Sequence, residues 1–175
     1  MIYDEKDIDF LKLSDSEFEE VCFELLIKLG FKGLVWRLGG SDSGRDIEGR
    51  FNVNNPLVEN YDEKWFFECK RYKSGVPPEQ LNSKIAWADA EKPKHLVIFV
   101  SSYITNGART WLEKVSIEKY YSIHVIEGKK LKNILLRFSD IVTKYFVDQY
   151  EKKIANSTFI IVPFRNIIDV INQVK

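Results

Sequence analysis

Apolar positions recur along the chain in two rhythms, and each change of rhythm marks a new element. Phe18, Val21, Cys22, Leu25, Leu26 and Leu29 recur at helical spacing, which gives a helix with one apolar stripe. Ser14 or Asp15 stands at the N-cap position, acidic residues fill the first turn, and Gly30 is placed to end the helix. Three short strands then follow as a meander: GLVWRL from Gly33, DIEGRF from Asp46 and KWFFECKRY from Lys64. A polar loop over 52–63 joins the last two. Pro77 and Pro78 suit a helix entry, and Leu81, Ile85, Trp87 and Ala88 continue that helix as a mostly buried one. HLVIFVS is apolar almost throughout, the mark of a strand covered on both faces. A helix capped by Thr105 or Asn106, a strand YSIHVIEG, and one amphipathic helix from Lys129 to Ile154 complete the pattern.

The order is therefore α-β-β-β-α-β-α-β-α. A meander followed by helix-linked strands predicts an α/β fold, with a mixed β-sheet flanked by helices on both faces. Residues 1–150 form one domain in this reading. Residues 151–175 end in an apolar run broken by Pro163, and read as a C-terminal arm or the start of a linker to a further domain.

Composition narrows the possible partners. Lys plus Arg and Asp plus Glu number 26 each, which argues against a generally basic nucleic-acid coat but leaves a local basic groove open. Cys22 and Cys69 fall in apolar runs and form no Cys-x-x-Cys pair, so they read as buried free thiols and not as a zinc site. The acidic start is not a signal peptide. No apolar run approaches the roughly 20 residues of a membrane span. A cytoplasmic protein with no membrane partner is expected.

Two segments carry candidate chemistry. On KWFFECKRY, alternation sends Trp65, Phe67 and Cys69 to one face and Phe66, Glu68 and Lys70 to the other. Alone, Glu68 and Lys70 read as an ion pair at a strand end. The second segment is GGSDSGRDIEGR, Gly39 to Arg50. Its strand places Asp46, Glu48 and Arg50 on one face, opposite Ile47 and Phe51. Antiparallel pairing of the two strands would bring Asp46 to Glu68, with Lys70 beside them. Two adjacent carboxylates repel, and a hard divalent cation relieves the repulsion. Mg²⁺ is such a cation, with Mn²⁺ as a substitute; it takes one or two carboxylates and completes its shell with phosphate and water oxygens. Lys70 would then orient or deprotonate a water, or offset phosphate charge. Gly39, Gly40, Gly44 and Gly49 would let a bulky duplex approach, with Arg45 aimed at phosphate.

GGSDSGRDIEG followed by FFECKRY resembles the Mrr-like restriction endonuclease domain of the PD-(D/E)xK nuclease superfamily. The opening helix, the segment KPKHLVIFVSSYITNGARTWLEK and the segment IHVIEGKKL resemble that family as well, so the likeness spans about residues 10–136. The resemblance implies a restriction-endonuclease-like fold and metal-dependent hydrolysis of phosphodiesters. It assigns Asp46 and Glu68 to the metal, with the Cys69 carbonyl as a further ligand, and Lys70 as the catalytic lysine. It adds a glutamate on the first helix, for which Glu19 is the choice because it flanks the apolar stripe, and a glutamine on the helix after the catalytic strand, Gln80, with Lys84 one turn later. Asp42 reads as turn chemistry.

Arg45, Arg71 and Lys73, with Lys92 and Lys94, are candidates for a DNA path, although each taken singly reads as a surface charge. Such contacts position a duplex without reading its sequence. His95, His124 and the four tryptophans read as packing residues. The leading expectation is a Mg²⁺-dependent DNA endonuclease domain acting on double-stranded DNA in bacterial defence, as a homodimer or higher oligomer or joined to further domains. A nuclease-like module that binds without cutting, and a nuclease for RNA or DNA junctions, remain as alternatives.

Overall fold

A computed structural model describes residues 3–37 and 46–147. The first turn, a 3-10 turn at Phe10–Lys12, is capped by the Asp9 carboxylate and buries Phe10. Helix α1 (Asp15–Lys28) starts at a reciprocal capping box: the Ser14 hydroxyl accepts from the Glu17 amide, and the Glu17 carboxylate accepts from the Ser14 amide. It ends ahead of Gly30, whose φ of +88° is the left-handed conformation that glycine takes without cost. Strands β1 (Lys32–Trp36), β2 (Ile47–Val53), β3 (Tyr61–Lys70), β4 (His95–Val100) and β5 (Ser122–Ile126) form one sheet in sequence order. Strands β1, β2 and β3 pair antiparallel, and β3, β4 and β5 pair parallel. This is the predicted mixed sheet, with the predicted order of elements.

Both faces are covered. On one, Phe67, Cys69, Val97 and Phe99 pack against α1 and against helices α4 (Gly128–Leu135) and α5 (Ser139–Phe146). On the other, Phe66, Leu96, Ile98 and Val100 pack against α2 (Asn82–Glu91) and α3 (Asn106–Ser116). The odd and even positions of β3 thus divide between two cores as alternation requires. The parallel strands are joined by α2 and α3, so both crossover helices cover the same face.

Three expectations need correction. The loop over 52–63 is shorter than its polarity implies, because the β2–β3 ladder continues through Asn52↔Asp62 to Val53↔Tyr61. The Asn52 amide donates to the Asp62 carboxylate there at 2.8 Å. The single last helix is two helices, broken at 136–138, where Phe138 leaves helical geometry and Ser139 and Asp140 begin a new first turn. The break lets Leu131 and Leu135 of one segment, and Ile141, Val142 and Phe146 of the next, enter a single core. Gly49 belongs to no turn. It is buried in β2, where a Cβ would come within 2.7 Å of the Leu34 side chain, so it makes room for Leu34 and not for a duplex. Asp42, Arg45, the glycines Gly39, Gly40 and Gly44, and the arm over 151–175 lie outside the described residues.

Candidate active site

The C-terminal end of β3 gathers charge inside the fold. The β2–β3 register ends at Ile47↔Phe67, so Asp46 stands across from Glu68. Three hydrogen bonds fix Asp46. Its amide donates to the Phe67 carbonyl at 3.3 Å, and its carbonyl accepts from the Arg37 amide at 2.9 Å. Its carboxylate Oδ2 accepts from the Cys69 amide at 2.6 Å. The backbone of β3 therefore aims the Asp46 carboxylate.

Glu68 has no solvent exposure, and among the described residues it is the one charged side chain that is fully buried. Its Oε1 lies against the Lys70 ammonium, and the Lys84 ammonium of α2 approaches the same atom at 2.9 Å. Neither oxygen makes a hydrogen bond of regular geometry: Oε1 is met by the two ammonium groups as ion pairs, and Oε2, equally buried, has no partner. Burial pushes the Glu68 carboxyl up to about 7, the Asp46 charge adds to that rise, and the two lysines oppose it. Burial alone would lower Lys70, yet the attraction of Glu68 and then Asp46 outweighs it and the ammonium is held above its ordinary value. The two partners differ because Asp46 repels Glu68 and attracts Lys70, and because Lys70 keeps 18% of its side-chain exposure. Lys70 is thus a persistent cation here, suited to offsetting phosphate charge.

Glu19 projects from α1 toward the same end. The Trp36 indole N–H donates to its Oε2 at 3.1 Å. Burial raises its pKa, the Trp36 bond opposes that rise, and the Asp46 charge adds to it. Glu20 turns elsewhere, to Lys144 at 3.3 Å. Gln80 sits exposed on the 3-10 turn Pro78–Gln80, before α2 begins, and makes none of the contacts described around Glu68. The α2 residue that reaches Glu68 is Lys84, one turn beyond Gln80. Its signal in the sequence is the one used for Glu19: a polar residue flanking a buried stripe, here Leu81, Ile85 and Ala88. The Trp36–Glu19 bond left no signal in the sequence.

The other candidates are placed as follows. Cys69 is buried, and burial, then the neighbouring Cys22 thiol, raises it well above the ordinary thiol value. Both cysteines are free. The carbonyl of Lys70 accepts from Ser101 of the β4 side at 2.9 Å, so by alternation the Cys69 carbonyl points to the β2 side, where Asp46 lies. Arg71 is engaged by Asp15 at 2.6 Å, and Lys73 is exposed. Lys92 and Lys94 belong to the opposite end of the sheet: the Lys94 amide donates to the Lys64 carbonyl, roughly 20 Å of strand away from Lys70. They line a groove there with Tyr61, Lys64 and Tyr120 and do not extend a path from Lys70. His95 lies tilted against Trp65, with ring centroids 3.9 Å apart, and its ring nitrogens meet His124 at 3.1 Å and Glu63 at 3.3 Å.

Among the described residues no group of three or more His, Cys, Asp and Glu side chains is arranged to hold a metal ion. The site does fit magnesium, which needs few protein ligands: Asp46 and Glu68 supply oxygens, and Glu68 Oε2 is a buried anionic atom that no donor satisfies.

Comparison with known proteins identifies the family and the fold. A restriction endonuclease family model matches residues 10–135. The type IV methyl-directed restriction enzyme EcoKMrr of Escherichia coli (strain K12) is 24% identical over 131 residues, which cover 73% of this chain and 40% of that protein. The chain thus spans about two fifths of that relative's length. In fold it is similar to the DNA modification-dependent restriction endonuclease AspBHI, with a TM-score of 0.59 at 14% identity over 82% of this chain and 39% of the other. It is also similar to the MspJI restriction endonuclease, solved in complex with a 27-mer oligonucleotide, with a TM-score of 0.59 at 18% identity over 78% of this chain and 33% of the other. Among the described residues no helix is long and apolar enough to cross a membrane. The family match covers most of the chain, and the protein belongs to the Mrr-type restriction endonuclease family.

Proposed function

We propose that this chain is a Mg²⁺-dependent DNA endonuclease domain that hydrolyses phosphodiester bonds of double-stranded DNA, in the cytoplasm, as part of defence against foreign DNA. The observation that carries this reading is the fully buried Glu68, placed across from Asp46 and beside Lys70, with one oxygen unsatisfied. A fold gains no stability from a carboxylate held that way. A site that must hold a cation needs one.

Asp46, Glu68 and the Cys69 carbonyl would hold the ion. When bound, magnesium supplies Lewis-acid polarisation of a water and of the phosphate. Asp46 is held in place by the Cys69 amide, so its free oxygen is presented without a reorganisation cost. Lys70 keeps its proton and sets a positive charge where negative charge grows on the phosphate. Glu19 adds a second-line carboxylate oriented by Trp36. Lys73 is exposed three residues after Lys70 and suits a phosphate contact that reads no sequence. Cutting both strands calls for two such sites, so a dimer or higher oligomer, or a longer protein that brings two domains together, fits the reading.

The test is nicking of supercoiled plasmid with Mg²⁺, with Mn²⁺ and with EDTA, by the wild-type chain and by Lys70→Ala. The reading expects metal-dependent nicking that disappears in the variant. Cleavage that survives Lys70→Ala rejects the site. Duplex binding without cleavage under every metal favours a binding module instead.

A further inference from the structure

Glu68 carries one negative charge, yet two ammonium groups meet its Oε1. One cation suffices to compensate a buried carboxylate. The two differ in origin. Lys70 lies two residues along the same strand face, next to Asp46, which contributes to its charge state. Lys84 comes from α2, whose Leu81, Ile85 and Ala88 neighbours are locked into the second core. The two side chains are about equally covered, 15% exposed for Lys84 and 18% for Lys70, so what separates them is the element that carries each and the neighbour each has. Lys70 therefore stands on the Asp46 side of Glu68, and Lys84 on the α2 side.

We propose that Lys84 is a positioning residue for this centre: it holds Glu68 Oε1 so that Lys70 can turn from Glu68 to the scissile phosphate while Glu68 stays fixed and compensated. The proposal rests on the nuclease reading for its purpose, but its physical core does not. If Lys70 were the only partner, its departure would leave a buried carboxylate unpaired, a costly state. Glu68 would then retain Lys70, and the lysine would be unavailable to the reaction. With Lys84 in place, Oε1 stays engaged and Oε2 stays aimed at the ion.

Two measurements on the full chain test this. The first uses metal-free protein and no substrate. A double-mutant cycle of Glu68→Gln and Lys70→Met, read by chemical unfolding, gives the Glu68–Lys70 coupling; repeating it in Lys84→Met should raise the coupling about tenfold as a ratio of unfolding constants. An unchanged coupling overturns the proposal, whether or not the protein cuts DNA. The second is single-turnover cleavage. Lys84→Met should slow it by about ten- to a hundredfold, with duplex affinity in Ca²⁺ altered less than about twofold, and Lys84→Arg should restore most of the rate. Weaker duplex binding with a salt slope reduced by about 1 would make Lys84 a phosphate contact instead. A lower melting temperature with an unchanged rate would make it merely structural. If Lys84→Met fails to fold, Lys84→Gln and Lys84→Arg carry the same comparison. Absence of cleavage by the wild-type chain would reject the nuclease reading alone.

Discussion

Strand β3 and helix α2 meet through charge twice, at opposite ends of their contact. At one end Lys64 of β3 pairs with Glu91 of α2 at 3.1 Å, with side chains 38% and 27% exposed. At the other, Glu68 of β3 meets Lys84 of α2 at 2.9 Å, with side chains 0% and 15% exposed. Lys64, Phe66, Glu68 and Lys70 share one face of β3, so strand, helix and face are common to both pairs. Only the sign and the hydration differ. The outer pair remains in water, where such a bridge contributes about 0–1 kcal/mol. The inner carboxylate has lost its water and gained Asp46 as a like-charged neighbour. The difference separates an ion pair that stays hydrated at the surface from a carboxylate that is buried among charges.

The largest predicted contrast is in turnover. Lys70→Ala should lower single-turnover cleavage about 10³-fold or more. Lys64→Ala should change it less than about twofold, within the usual range for a solvated surface charge. Equal losses at the two positions would mean that the inner pair has no special role.

The next contrast is in stability against pH, read on metal-free protein. The folded chain holds the Glu68 proton up to about 7, against 4.5 for the ordinary group. Between these values the folded state binds more protons than the unfolded, so stability falls as pH rises from about 4.5 to about 7. Glu68→Gln should therefore be more stable than wild type by about 3 kcal/mol at pH 8, and should show little difference near pH 4. Urea unfolding across that range checks this. A destabilised Glu68→Gln at pH 8 would show that the two lysines more than offset burial.

The smallest effect belongs to the outer pair alone. Lys64→Ala should cost less than about 1 kcal/mol, and most of that should vanish in 1 M salt. A larger or salt-resistant cost would show that the stem of Lys64, whose ammonium stands 4.8 Å from the Phe66 ring centroid, stabilises by packing and not by charge.

Much of the inner site was legible because strand geometry is strict. A period of two puts Phe66, Glu68 and Lys70 on one face whatever the tertiary context, and a hairpin between DIEGRF and WFFECK brings Asp46 to Glu68. What stayed hidden depended on longer range or on weak local signal. Asn52 and Asp62 are both polar, so nothing apolar marked the ladder that continues past them. The last amphipathic stretch keeps its apolar spacing across 136–138, which concealed the break at Phe138. Gly49 looked like room for a duplex because its packing against Leu34 appears only when β1 lies beside β2. The pairing of Arg71 with Asp15 stayed hidden because the two are 56 residues apart. Lys84 rather than Gln80 meets Glu68 because the 3-10 turn ends at Gln80 and α2 starts only after it.

The central claim is that Asp46 and Glu68 form one cation site. Mn²⁺ binding followed by electron paramagnetic resonance at pH 8, without DNA, tests it most directly. The account predicts a bound ion for the wild-type chain that is lost in both Asp46→Asn and Glu68→Gln and kept in Glu91→Gln. Binding that persists unchanged in either of the first two variants would contradict it.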